Sequence, residues 1–283
     1  MLELQHVTVQ SQDRIIIEDL SFQLKKSQSL AIVGESGSGK STLLKILLGL
    51  PLRDLWIAKG QYSWQGKEQL QQSTPYPFVG NEMAWVSQQA GRFFYDRRTI
   101  ENHYKDLVNS LKGRTSKVRS LKECMDLVSL DMKKVAPAYP FELSGGMMQR
   151  VAIALSLVSY PKILLADEPT SALDVVTKLE IVDLLDRLKR EEGLALLLVT
   201  HDMAVAAALT DQMLVIREGQ VIEQGPTAQL LQSATEDYTR ELLEMCIRDR
   251  LCFDGEVLSD RNGDSLSQLY DSRNWNRHFP MGD

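Results

Sequence analysis

No apolar run in this 283-residue chain approaches the roughly 20 residues that a membrane-spanning helix needs, and no signal peptide opens it. Any work at a membrane is therefore expected to go through partners. Cysteine is scarce: Cys124, Cys246 and Cys252 are the three present, with neither metal-ligand spacing nor the pattern of a disulfide framework. A reducing cytoplasmic setting is the default. Basic charge is not in excess either. The net charge of −6 argues against nucleic acid as the main partner, because such a binder needs a basic surface. No internal repeat or low-complexity run is evident. With 43% hydrophobic and 25% charged residues, the composition agrees with a soluble enzyme whose core fills one or two domains.

Against that background one segment stands out. Gly34-Glu35-Ser36-Gly37-Ser38-Gly39-Lys40-Ser41 has a glycine, four free residues and then Gly-Lys-Ser, and it follows the apolar, strand-like run from Leu30 to Val33. This is the P-loop pattern in its proper context. The glycines let the backbone bend until successive N–H groups point inward at phosphate oxygens, and the helix beginning near Lys40 adds its positive dipole end. The residues from Gly34 to Thr42 are the expected nucleotide cradle. Lys40 should reach the β- and γ-phosphates, and the Ser41 hydroxyl should ligate Mg²⁺.

Phosphoryl transfer also needs a carboxylate for the metal and a group to polarise water. Ile163-Leu164-Leu165-Ala166-Asp167-Glu168 supplies both at a strand end. Neighbouring strand residues point to opposite faces, and the chain turns toward Pro169, so Asp167 is expected to face Mg²⁺ and Glu168 the attacking water. Leu143-Ser144-Gly145-Gly146-Met147 opens a second helical stretch with unblocked N–H groups and a hydroxyl, as an anion-binding surface requires. Alone, it would read as an ordinary helix cap. His201 directly follows the apolar run Ala195 to Val199, and that position at another strand end marks it as a catalytic candidate.

In this order, the P-loop, Gln88, Leu143 to Gly146, Asp167-Glu168, Ser171-Ala172-Leu173-Asp174 and His201 resemble an ATP-binding cassette (ABC) ATPase over residues 1 to about 245. The resemblance implies an α/β fold: a P-loop NTPase (RecA-like) core with an N-terminal antiparallel β subdomain and an inserted helical subdomain at about 92–159. It implies ATP and Mg²⁺ as cofactors. Gln88 would sense Mg²⁺ and the membrane partner, and His201 would hold the γ-phosphate and the water. Ser171 to Asp174 would cross a dimer interface, with Asp174 at the nucleotide. Ser144 and Gly146 would act in trans on ATP held by a second cassette, identical or different. Further implied partners are two integral membrane permease subunits and, indirectly, a solute-binding protein, at the cytoplasmic face of the cell membrane, without nucleic acid. Two segments, Tyr139 to Arg150 with Met147 after the glycines and Asp237-Tyr238-Thr239-Arg240-Glu241-Leu242-Leu243, resemble the branch that imports peptides, nickel and related chelates. A soluble cassette acting on DNA or ribosomes, or a regulatory cassette without turnover, is the alternative.

Local patterns fill in the rest. Leu2 to Val9, Ile15 to Ile17 and Phe22 to Leu24 read as short strands of an antiparallel sheet, and Tyr62 to Trp64 and Ala84 to Ser87 add two more. Met125, Leu127, Val128 and Leu130 are candidate core positions of one helix. From Ile163 onward strand and helix alternate, which implies a parallel sheet, ending in a hairpin around Glu218-Gly219. Two departures from the family pattern are visible: no aromatic residue stands in Val9 to Asp13 to stack on adenine, and Phe93-Phe94-Tyr95 follow Gln88 where an acidic residue and proline are usual. These aromatics would pack into the partner or into the helical subdomain. The tail from Met245 matches a translated sequencing-library adapter over Met245 to Arg250, and residues 251–283 carry turn signals without apolar periodicity. Residues 246–283 are thus expected to lie outside the cassette as a non-native or disordered tail; the competing reading is a genuine regulatory extension with Cys246 and Cys252 as a metal or redox pair.

Overall fold

The computed structural model describes residues 1–69 and 75–253. Apolar alternation builds β1 (Leu2–Gln10) and β2 (Ile15–Leu24) as an antiparallel pair. The two short strands expected within 15–24 are one. Asp19, at φ 50°, sits in a register shift that takes up one extra residue, so Ile17 and Leu20, three apart, both face the core. Next come β3 (Ser29–Val33) and α1 (Lys40–Leu48). β4 (Trp56–Trp64) and β5 (Lys67–Glu68) complete the first sheet, in the order β2-β1-β4-β5.

β6 (Met83–Val86) joins the second sheet instead. Helices then accumulate: α2 (Ile100–Ser110), α3 (Leu121–Leu127), α4 (Met132–Val135) and α5 (Gly145–Ser156). A capping box between Ser120 and Glu123 starts α3. It stops before Val128 and Leu130, because Ser129 takes φ 57° and turns the chain, yet Cys124, Met125 and Val128 are fully buried. Burial pushes the Cys124 thiol up to about 12, which leaves it a packing group. β7 (Ile163–Asp167), α6 (Val175–Glu192), β8 (Ala195–Thr200), α7 (Met203–Leu209), β9 (Gln212–Arg217), β10 (Gln220–Pro226), α8 (Thr227–Ser233) and α9 (Asp237–Phe253) follow. The boundary expected at residue 245 falls inside α9, while the turn signals after residue 253 lie outside the described residues.

The second sheet has the order β10-β9-β3-β8-β7-β6, and β9, β3, β8, β7 and β6 run parallel. Both faces of its centre are covered, so β3, β8 and the body of β7 are apolar and buried, whereas the edge strand β10 is polar and partly exposed. Alternate residues feed two cores. Leu30, Ile32, Ile163, Leu165, Leu197 and Val199 pack with α1 and the antiparallel sheet. Ala31, Val33, Leu164, Ala166, Leu196 and Leu198 pack under α5, α6 and α7.

The β9–β10 turn places Glu218 at φ 50° and Gly219 at φ 83°, the two positive angles of a tight hairpin. A Cβ on Gly219 would stand 2.2 Å from the Ile16 carbonyl oxygen, and the Gly219 N–H donates to Ser38 O at 3.1 Å. Gly219→Ala therefore forces hairpin and β2 apart. It should destabilise folding by at least about 1 kcal/mol, measured by urea denaturation.

Candidate active site

The strand register alone lines up the chemistry. Val33 pairs with Thr200, Asp167 with Val199, and Val86 with Ala166. The phosphate loop after β3, His201 after β8, Glu168 after β7 and Gln88 after β6 therefore share one carboxyl edge. In open parallel sheets that edge is where ligands bind.

The loop itself is gripped from outside by backbone. A Cβ at Gly34 would lie 2.1 Å from Ile216 O, and one at Gly39, which has φ 103°, 3.1 Å from Ile16 O. Glycine is required at both. Gly39 caps α1 without a side-chain hydrogen bond, so the first N–H groups of the helix are left for a ligand. The Glu35 N–H donates to the Tyr238 hydroxyl at 3.3 Å. Lys40, only 8% exposed, donates to Gly34 O at 2.6 Å, Glu35 O at 2.7 Å and Ser38 Oγ at 3.4 Å. Burial lowers its pKa, against the opposing pull of Glu168, Asp167 and Glu35. Phosphate oxygens are the natural acceptors for protons so placed. Ser41 is exposed and Thr42 half-buried at the same helix start.

At the end of β7, Glu168 takes φ 47°, an angle that strains a non-glycine residue. The twist separates it from Asp167. One oxygen of Glu168, Oε1, accepts the His201 backbone N–H at 3.1 Å and lies 2.8 Å from His201 Nδ1. A carboxylate only accepts, so the ring proton sits on Nδ1. Among the described residues no hydrogen bond uses Oε2. The bond to Glu168 raises the His201 pKa. Asp202, next in the chain, caps α7 through the Ala204 and Val205 N–H groups and pairs with Lys178 of α6. Burial pushes its carboxyl up, but Lys178 and these N–H groups more than offset that and hold it below the usual range.

Asp167 is half-buried and forms no side-chain hydrogen bond among the described residues. Burial, then the charge of Glu168, pushes it up to about 6. Such a carboxylate suits a cation. Together with the Ser41 hydroxyl and the Gln88 amide oxygen it would offer an all-oxygen donor set, a chemistry that fits Mg²⁺ better than zinc. No group of three His, Cys, Asp or Glu among the described residues could hold a metal unaided.

The remaining candidates have structural partners. Ser144 caps α5, accepting the Met147 N–H at 3.3 Å. A Cβ on Gly146 would meet Thr177 Cγ2 at 2.4 Å, so close packing of α5 on α6 already demands that glycine. Gly145 lies beside Leu173. Asp174 caps α6 through Thr177 N at 3.0 Å and Thr177 Oγ1 at 2.7 Å. Gln88 is exposed just beyond β6. Of the aromatics that follow it, Phe94 packs into the helical core, with its ring 5.0 Å from that of His103, while Tyr95 stays 73% exposed.

The family pattern described as ABC transporter matches residues 17–171. The chain belongs to the ABC transporter family. It is 34% identical over 253 residues to the metal-staphylopine import system ATP-binding protein CntD of Staphylococcus aureus (strain NCTC 8325 / PS 47), covering 86% of this chain and 92% of that one. Against the nickel import ATP-binding protein NikD of Brucella abortus it is 35% identical over 240 residues, covering 83% and 89%. Against the oligopeptide transport ATP-binding protein OppD of Haemophilus influenzae it is 37% identical over 239 residues, covering 81% and 72%. A solved dimer of the ATP-binding cassette MJ0796, in a post-hydrolysis state bound to ADP and Pi, superposes with a TM-score of 0.65 at 28% identity over 80% of this chain and 99% of that one. The cassette is thus an ATPase of this family with a nucleotide-binding site. Among its described residues no helix is long and apolar enough to cross a membrane.

Lys178 and Tyr238 join the site's surroundings without a motif to announce them as such. An i-to-partner pairing across 24 residues leaves no local signal.

Because the folded pKa of Asp167 is raised above that of an unfolded aspartate, its contribution favours folding fully below about pH 4 and is lost as pH rises through about 6. Asp167→Asn should accordingly raise the melting temperature of the protein alone by about 2–4 °C at pH 8, with the gain fading toward pH 4. Calorimetry across that range checks the sign.

Proposed function

We propose that this cassette is the ATP-hydrolysing subunit of a binding-protein-dependent importer for peptides or nickel-type metal chelates. The relatives named above are import proteins for such solutes, and Met147 and the segment from Asp237 to Leu243 fit that branch. The single observation behind the hydrolytic role is the Glu168–His201 pair, set beside Lys40 at one sheet edge.

In this reading the loop N–H groups from Gly37 to Thr42 and the Lys40 ammonium bind the phosphates of ATP. Ser41, Asp167 and Gln88 would hold Mg²⁺, which when bound would supply charge neutralisation at the phosphates. Glu168 orients the attacking water through its free Oε2 and accepts its proton, while Oε1 keeps His201 in the tautomer that leaves Nε2 facing outward. Protonated, as the bond to Glu168 favours, His201 then donates its Nε2–H to the γ-phosphate.

Ser144, Gly145 and Asp174 are exposed, and the surface around them carries Phe141 at 70% and Val176 at 67% exposure. An apolar surface of that kind calls for a partner. A second cassette, identical or different, covers it and receives the α5 N-terminus at its own nucleotide. Two permease subunits anchor the assembly at the cytoplasmic face of the cell membrane, and a solute-binding protein delivers cargo to them.

Glu168→Gln should keep ATP binding and lower steady-state hydrolysis about 10²- to 10⁴-fold. Lys40→Ala should instead weaken ATP binding itself, read by equilibrium titration. Turnover of Glu168→Gln within a few-fold of the native chain would remove Glu168 from the mechanism.

A further inference from the structure

The segment from Asp237 to Leu243 opens α9, far in sequence from the phosphate loop, yet it reaches that loop directly. Glu223 of β10 fixes where α9 begins, accepting from Thr235 N at 2.9 Å, Thr235 Oγ1 at 3.0 Å and Glu236 N at 3.4 Å. Arg240 folds back on the same corner, donating to Ala234 O at 2.9 Å and Thr235 O at 2.8 Å. Tyr238, the second residue of α9, is only 5% exposed, with the Arg217 guanidinium 4.7 Å above its ring. Arg217 ends β9, directly after the Ile216 carbonyl that presses on Gly34. The ring is thereby locked, and its hydroxyl accepts the Glu35 N–H at 3.3 Å. Burial raises the Tyr238 pKa, so this hydroxyl stays protonated throughout the neutral range.

The peptide unit that joins Gly34 to Glu35 has two ends with different duties. Its N–H, on Glu35, is held by α9. Its carbonyl, on Gly34, accepts Lys40 Nζ at 2.6 Å. A peptide unit is planar, so fixing one end fixes the other. Freed from Tyr238, the peptide gains rotational freedom that nucleotide binding must then remove.

We propose that Tyr238 is a positioning residue of the nucleotide site: from α9 its hydroxyl orients the Gly34–Glu35 peptide unit, and through the Gly34 carbonyl Lys40, so that α9 sets the loop's affinity for nucleotide. The proposal rests on the phosphate-loop reading above. It touches neither Glu168 nor His201, so affinity and turnover separate.

Tyr238→Phe keeps the buried ring and removes one hydrogen bond. In the full-length chain with Mg²⁺, the Kd for ATP and the KM should rise about three- to ten-fold, with kcat within about two-fold and the melting temperature without nucleotide nearly unchanged. Hydrogen exchange at the Glu35 amide should quicken. Arg217→Gln, which unlocks the ring but keeps the hydroxyl, should shift the same quantities in the same direction by less, and it carries the test should Tyr238→Phe fold poorly. Unchanged ATP affinity, or a fall confined to kcat, would overturn the proposal. Lys40→Ala measured alongside separates the two levels. If it loses ATP while Tyr238→Phe does not, only the role of Tyr238 fails; if the native chain binds no ATP, both readings fail.

Discussion

A lysine ammonium taken out of water needs acceptors on every side, and the arrangement of this protein around Lys40 follows from that requirement. Two backbone carbonyls and a serine hydroxyl take its protons, and Asp167 and Glu168 supply opposing charge. The carbonyls are available only because the loop bends sharply between β3 and α1. That bend survives only where glycine lets Ile216 O and Ile16 O come close. The two acids face the lysine because β7 ends two strands from β3, with β8 between them. Without the loop carbonyls that take its protons, the ammonium would be left buried without compensation, which is among the more damaging things a fold can suffer.

The first turns of α6 tie the remaining loops to this centre. Thr177 receives the cap from Asp174 and fills the space in front of Gly146, while Lys178, one residue on, pairs with Asp202 beside His201. The α5 N-terminus and the residue that follows His201 thus rest on adjacent residues of α6.

Much of the site was legible because its residues sit where periodicity changes. Gly34 to Ser41 lies between an apolar strand and an apolar helix, and Glu168 and His201 each close an apolar run, so strand ends could be read directly. The order of the strands could not. Nothing local states that Ile163 to Asp167 lies between Ala195 to Thr200 and Met83 to Val86, and the strand at Ala84 was accordingly not assigned to the parallel sheet. Short-range geometry also misled where positive φ angles intervene. Asp19 joins what reads as two strands into one, and Ser129 ends α3 before Val128 and Leu130 although Val128 remains in the core. Tyr238 was visible only as a mark of the branch, since its contact with Glu35 spans 203 residues.

The account stands or falls on what the loop around Lys40 binds. Titration calorimetry of the full chain with ATP, ADP and AMP in the presence of Mg²⁺ addresses this directly. A cradle built for the β-phosphate should bind ATP and ADP and discriminate against AMP by more than about 100-fold. AMP binding as tightly as ADP, or no binding of any of the three, would contradict it.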